Sequence, residues 1–171
     1  GSILLRGIDK WGNTVFNLKE NEISKLNFGD LASISSWSLA KDGSMVFTGV
    51  KKDYPIEVYY KSSLDAEPIP LTSYNKFVKK IKLGKQKGIE WTSSEGLSPT
   101  GILTYPPHFD PTKKYPLVLK IHGGPSASSL LGFSPLSQAM AAKGWIVFEP
   151  NYRGSTNQGN EFQAAIARDP S

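Results

Sequence analysis

Tyr115-Pro116-Leu117-Val118-Leu119-Lys120-Ile121-His122-Gly123-Gly124-Pro125 is an apolar run that ends in two adjacent glycines. Leu117 to Ile121 predicts a strand, and its nearly continuous apolar character predicts cover on both faces. The Gly-Gly turn leaves backbone N–H groups bare at the end of that strand, where they can hold an oxyanion. Next comes Ser134-Pro135-Leu136-Ser137-Gln138-Ala139-Met140-Ala141-Ala142-Lys143-Gly144, which carries helix punctuation at both ends: a Ser N-cap, Pro at the first helical position and a closing Gly. Leu136, Ala139 and Met140 are expected to face the core. Trp145-Ile146-Val147-Phe148-Glu149-Pro150 predicts a second strand, so the unit is strand, helix, strand, with a right-handed parallel crossover. Ligand-binding turns in such sheets lie at the carboxyl ends of the strands, where His122-Gly123-Gly124-Pro125 and Asn151-Tyr152-Arg153-Gly154 both fall. A last helix is expected from near Gly159-Asn160, burying Phe162, Ala165 and Ile166.

Upstream, the character changes. Gly88 to Thr92 and Leu97 to Tyr105 predict an antiparallel pair, followed by the turn-forming prolines Pro106, Pro107, Pro111 and Pro116. Residues 3 to about 73 show short strands between turns and no helical period, so this half is all-β. Ile34 to Leu39, Met45 to Thr48, Ile56 to Tyr60 and Ile69 to Thr72 form a set of four, with Asp42-Gly43 as a hairpin signal. Ile3 to Arg6, Thr14 to Leu18 and Ile23 to Leu26 form a set of three before it. Two or more blades of a β-propeller and a free β-sandwich both accommodate this spacing.

The chain has 171 residues, 39% hydrophobic and 20% charged, which is globular rather than disordered composition. It carries no cysteine, so neither a disulfide framework nor a thiolate metal site is available. The net charge of +5 is concentrated in part between Asn75 and Lys87, where six lysines alternate with Phe77, Val78, Ile81 and Leu83. That run has no arginine and no nucleic-acid motif; it fits an extended segment with one solvated face, and no nucleic acid or membrane partner is expected. No stretch approaches the length of a membrane span, so a soluble protein of the cytoplasm or periplasm is expected. No His or carboxylate cluster has metal-ligand spacing, and neither glycine pair continues into a nucleotide-binding fingerprint.

Taken together, Pro70-Leu71-Thr72, Ile89-Glu90-Trp91, Ser94-Glu95-Gly96, Gly101-Ile102-Leu103, Pro106-Pro107, Lys113-Lys114-Tyr115-Pro116-Leu117, His122-Gly123-Gly124-Pro125 and Asn151-Tyr152-Arg153-Gly154-Ser155 resemble the prolyl oligopeptidase family of serine peptidases. The resemblance is closer to its acylaminoacyl-peptidase and dipeptidyl-peptidase-like branch. It implies a mixed β and α/β chain: terminal β-propeller blades over residues 1–75, a linker over 76–87, and the N-terminal part of an α/β-hydrolase domain over 88–171. It also implies hydrolysis of short peptides, with aminoacyl or dipeptidyl release, through a Ser, Asp, His triad that needs no cofactor or metal. The triad lies C-terminal to the matched segments, so the chain is expected to be inactive alone. Its implied partners are short peptide substrates and the missing C-terminal hydrolase segment, with self-association possible through an open sheet edge.

By the same resemblance Gly124 donates the oxyanion-hole N–H, His122, Gly123 and Pro125 set the turn, and Tyr152 and Arg153 support the site. Gly124-Pro125-Ser126-Ala127-Ser128 falls one residue short of a G-x-S-x-G elbow. Pro125 would restrict such an elbow, and neither histidine, His108 or His122, follows it, so Ser126 is not taken as the nucleophile. His122 is expected to hydrogen-bond the turn rather than to act as a general base, and His108 to sit solvated in a proline-rich turn. The competing functions are a non-catalytic interaction module on the same scaffold and a carboxylesterase.

Overall fold

A computed structural model describes residues 2–94, 96–124 and 126–168. Pro125, assigned to the turn, and Glu95 lie outside the described residues. Among those described, eleven strands form three sheets. The first is antiparallel, with β1 (Ser2–Ile8), β2 (Asn13–Lys19) and β3 (Glu22–Lys25) in chain order. The second contains β4 (Ser33–Leu39), β5 (Met45–Val50), β6 (Glu57–Lys61) and β7 (Ile69–Pro70), again antiparallel and in chain order. The turn from β4 to β5 closes at Asp42-Gly43, where the Ser44 N–H donates to Asp42 Oδ1 at 2.9 Å. These sheets share an apolar core of Val15, Leu26, Phe28, Ile34, Met45, Phe47 and Tyr59. Within it Phe47 meets Phe28 edge-on at 4.9 Å and stacks on Tyr59 at 5.6 Å.

Glu57 and Lys61 are buried charged residues in this half, and the carboxylate is held by its partners. Glu57 is only 3% exposed, and its carboxylate accepts hydrogen bonds from the Thr72 hydroxyl, the Asn75 N–H and Asn75 Nδ2. Burial pushes its pKa up, but the bonds from Thr72, Asn75 and Tyr74 outweigh burial and hold it below the ordinary 4.5. A carboxylate depressed in the folded state stabilises above its unfolded pKa, and that stability disappears as pH falls through the lower folded value. Glu57→Gln is expected to cost about 1–2 kcal/mol near pH 7 and to flatten the acid limb of stability, as read from urea unfolding midpoints between about pH 3 and 7.

The third sheet is ordered β10-β11-β9-β8, from β8 (Gln86–Glu90), β9 (Thr100–Thr104), β10 (Leu117–Leu119) and β11 (Ile146–Asn151). β10 and β11 are parallel, with Leu117 opposite Ile146, and α1 (Pro135–Ala142) links them. β8 begins at Gln86, inside the stretch assigned to the linker, and Lys76–Lys80 form a short 3-10 helix rather than an extended segment. Val78 anchors that turn in the interior, at 3% exposure, while Phe77 and Ile81 stay outside. No helix of the described residues is long and apolar enough to cross a membrane.

Two burial expectations are corrected. β10 is the edge strand of its sheet, and α1 packs on one face of that sheet at β11 and β9, so Leu117, Leu119 and Ile121 are 61%, 54% and 61% exposed while Val118 and Lys120 turn inward. α1 buries Ser137, Gln138 and Ala141 instead of Leu136, Ala139 and Met140. Its polar inward face is fully partnered: the Ser137 hydroxyl donates to Glu149 Oε2 at 2.9 Å, and Gln138 bonds both the N–H and the carbonyl of Gly84 at 2.8 and 2.9 Å. Its punctuation stands as read, with Ser134 accepting from the Ser137 N–H and the Gly144 N–H closing on Ala141 O.

The β1–β2 turn packs onto the third sheet. Lys10 Nζ pairs with Glu90 at 2.6 Å, Asn157 Nδ2 donates to Lys10 O at 2.7 Å, and the Leu131 N–H donates to Trp11 O at 2.8 Å. The Trp11 ring lies over Gly88, where any side chain would strike it.

Candidate functional site

The site is built at the carboxyl ends of β10 and β11. Lys120, the residue after β10, fixes the end of that strand: its N–H donates to Phe148 O at 2.8 Å and its ammonium pairs with Glu149 at 2.6 Å beneath α1. Two residues on, His122 is half-buried, and Gly123 and Gly124 are exposed. Gly124 has φ +108, a conformation that L side chains rarely adopt.

Four contacts hold the turn. The His122 ring stacks on Tyr152 with centroids 4.5 Å apart and planes inclined by 18°. The Tyr152 hydroxyl donates to the His122 carbonyl at 2.8 Å. His122 Nδ1 lies 3.0 Å from the Gly123 carbonyl, and Nε2 lies 3.0 Å from Ser155 Oγ. Two successive carbonyls, those of His122 and Gly123, are therefore anchored from one side. A peptide unit is planar and trans, so fixing the Gly123 carbonyl aims the Gly124 N–H the opposite way, away from the imidazole. No described residue accepts that N–H.

The chain beyond the turn is pinned as well. Fully buried Asn151, at the end of β11, accepts from the Ser129 N–H at 2.6 Å and donates to Ser129 O at 2.9 Å. The Thr156 N–H donates to Ala127 O at 3.1 Å, and the Ser128 and Thr156 hydroxyls are 3.2 Å apart. Ser126 is exposed and His122 is committed to Ser155 and Gly123, so the structure does not bring Ser126 and His122 together as nucleophile and base. His108 is exposed in its turn, and Arg153 is half-buried beside Tyr152. Sequence reading quoted Asn151 and Ser155 in the strand-end motif without giving either a role, and assigned none to Lys120 or Glu149. The signal for Glu149 and Asn151 was present in their two-residue spacing from Val147, which puts all three on one face of the strand.

No protein-family model matches the chain. The uncharacterized peptidase YuxL of Bacillus subtilis is 35% identical over 138 residues, covering 80% of this chain and 21% of that protein. The dipeptidyl-peptidase 5 of Aspergillus fumigatus is 30% identical over 174 aligned positions, covering 97% of this chain and 24% of that protein. Among solved structures, the acylaminoacyl peptidase of Pyrococcus horikoshii superposes with a TM-score of 0.80 at 22% identity, over 97% of this chain and 26% of that one. The chain belongs to the prolyl oligopeptidase family. It spans about a quarter or less of the length of the curated relatives it matches. Its sheet-dominated architecture with few helices is the family's fold, and the Gly-Gly turn and the Tyr152 strand end sit within the shared region.

Proposed function

We propose that the whole protein is a serine peptidase acting on short peptides through an acyl-enzyme, and that this chain supplies one donor of its oxyanion hole, the Gly124 N–H. The observation that carries this reading is the hold on the preceding carbonyl: His122 Nδ1 takes Gly123 O, which leaves the Gly124 N–H preset and unengaged among the described residues. A donor aimed before the substrate arrives needs no reorganisation as charge develops on the scissile carbonyl oxygen. The second donor of such a hole follows the nucleophile in sequence. Nucleophile, base and acid come, on this reading, from chain that follows this segment, because His122 is engaged by Gly123 and Ser155 and His108 lies exposed in its own turn. The unpaired edge of β10 is where further strands would add, and in the isolated chain it is a route to self-association.

The same reading divides the chain. Residues 1–75 are terminal propeller blades, favoured by two antiparallel sheets whose strands follow one another in chain order. The linker runs from residue 76 up to the start of β8 at Gln86, and the remainder opens the hydrolase domain, favoured by the parallel pair joined through α1. Aminoacyl or dipeptidyl release is the substrate class suggested by the names of the relatives.

A fluorophosphonate probe read by intact mass tests the assignment. The full-length protein is expected to gain one label and to cleave dipeptidyl or aminoacyl anilides, while the 171-residue chain gains none. A label on Ser126 or any other serine of this chain would defeat the division of labour. Turnover of p-nitrophenyl esters without anilide cleavage would make the protein an esterase, and no label on the full-length protein would make it an interaction module.

A further inference from the structure

Ser155 is completely buried, and its hydroxyl faces His122 Nε2 at 3.0 Å. Its backbone N–H is already committed to Tyr152 O at 3.0 Å, so the residue is held firmly while its hydroxyl remains free to rotate. The other ring nitrogen faces the Gly123 carbonyl, which can only accept; Nδ1 must therefore carry the hydrogen. In a neutral ring Nε2 is then an acceptor, and the Ser155 O–H donates to it. We infer that Ser155 is a positioning residue for catalysis: by donating to Nε2 it fixes the rotation of the His122 ring, whose Nδ1–H holds Gly123 O and thereby aims the Gly124 N–H. This rests on the reading of Gly124 as an oxyanion donor.

The chain of contacts runs from a buried hydroxyl through one imidazole to one peptide plane. Tyr152 contributes the ring stacking and holds the preceding carbonyl, but neither contact fixes the rotation of the ring within its plane. Without the Ser155 hydroxyl Nε2 has no partner, the ring is less firmly oriented, and the Nδ1–H hold on the Gly123 carbonyl weakens, so the peptide is released to rotate.

The test uses the full-length protein labelled with ring-15N histidine, with the His122 signals identified by their loss in His122→Asn. Wild-type His122 is expected in the Nδ1–H form with a hydrogen-bonded Nε2, and Ser155→Ala with the Nε2 resonance shifted to that of an acceptor nitrogen without a donor. Ser155→Ala should lower kcat/KM roughly five- to tenfold through kcat, with KM little changed. In the His122→Asn background an amide can donate to Gly123 O without help from Ser155, so adding Ser155→Ala should cost nothing further. An Nε2–H ring in the wild type, or an equal loss from Ser155→Ala in both backgrounds, overturns the inference. An Nε2 shift in Ser155→Ala of a protein with no hydrolytic activity upholds the hold of Ser155 on the ring and defeats the oxyanion reading beneath it.

Discussion

His122→Ala lowers kcat/KM of the full-length protein by about 10²–10³, the loss expected when one oxyanion donor goes out of place. The substitution removes no group that touches substrate. It removes the Nδ1 donor that restrains Gly123 O, the ring that stacks on Tyr152, and the partner of the buried Ser155 hydroxyl. Both residues that follow are glycines, and Gly124 already occupies φ +108, so nothing in the local backbone keeps the turn in place once the ring is gone. Charge on the scissile oxygen is fully developed only in the transition state, so the fall belongs to kcat with KM nearly unchanged. Steady-state kinetics on an anilide substrate decide it. A loss below tenfold, or one confined to KM, would mean that the turn is held by other contacts.

Gly84→Ala is expected to destabilise the fold by about 3 kcal/mol without touching the site. Gly84 is buried where the strand leading into β8 crosses Tyr105 and α1. A Cβ there would lie 1.8 Å from the Tyr105 carbonyl oxygen and 3.3 Å from Ala141 Cβ. The oxygen is backbone, and it cannot swing aside as a flexible side chain could. Both polar groups of Gly84 are also committed, to Gln138 on α1 at 2.8 and 2.9 Å, so relieving the clash breaks a buried pair of hydrogen bonds. A lowered urea midpoint, with wild-type kinetics in the fraction that remains folded, is the expected pattern. An unchanged midpoint would show that the strand has room to move.

Elements that depend on neighbours in sequence were legible before the structure. The Asp42-Gly43 hairpin, the Ser134-Pro135 start of α1, its Gly144 stop and the two strands that flank α1 are local signals, and each stands where it was read. What was not legible depends on partners far along the chain. The apolar count of α1 favoured Leu136 inward, but Ser137 and Gln138 face inward because Glu149 and the Gly84 backbone wait there, the latter 54 residues away. Gly84 itself sits inside a lysine run that gave no hint of a close backbone crossing. Leu117, Leu119 and Ile121 looked like the core of a covered strand, but a single edge position with cover on one side leaves them in the open. At the site, the strand-end position of His122-Gly123-Gly124 was readable, whereas the Ser155 contact, 33 residues on, exists only through the parallel alignment of β10 and β11.

The structure of the full-length protein carrying a fluorophosphonate adduct is the most direct measurement of the central claim. The account predicts a phosphonyl oxygen about 2.7–3.1 Å from the Gly124 nitrogen, with His122 still holding the Gly123 carbonyl. An oxygen bound by other donors, with the Gly124 N–H turned away or bonded elsewhere, would contradict it.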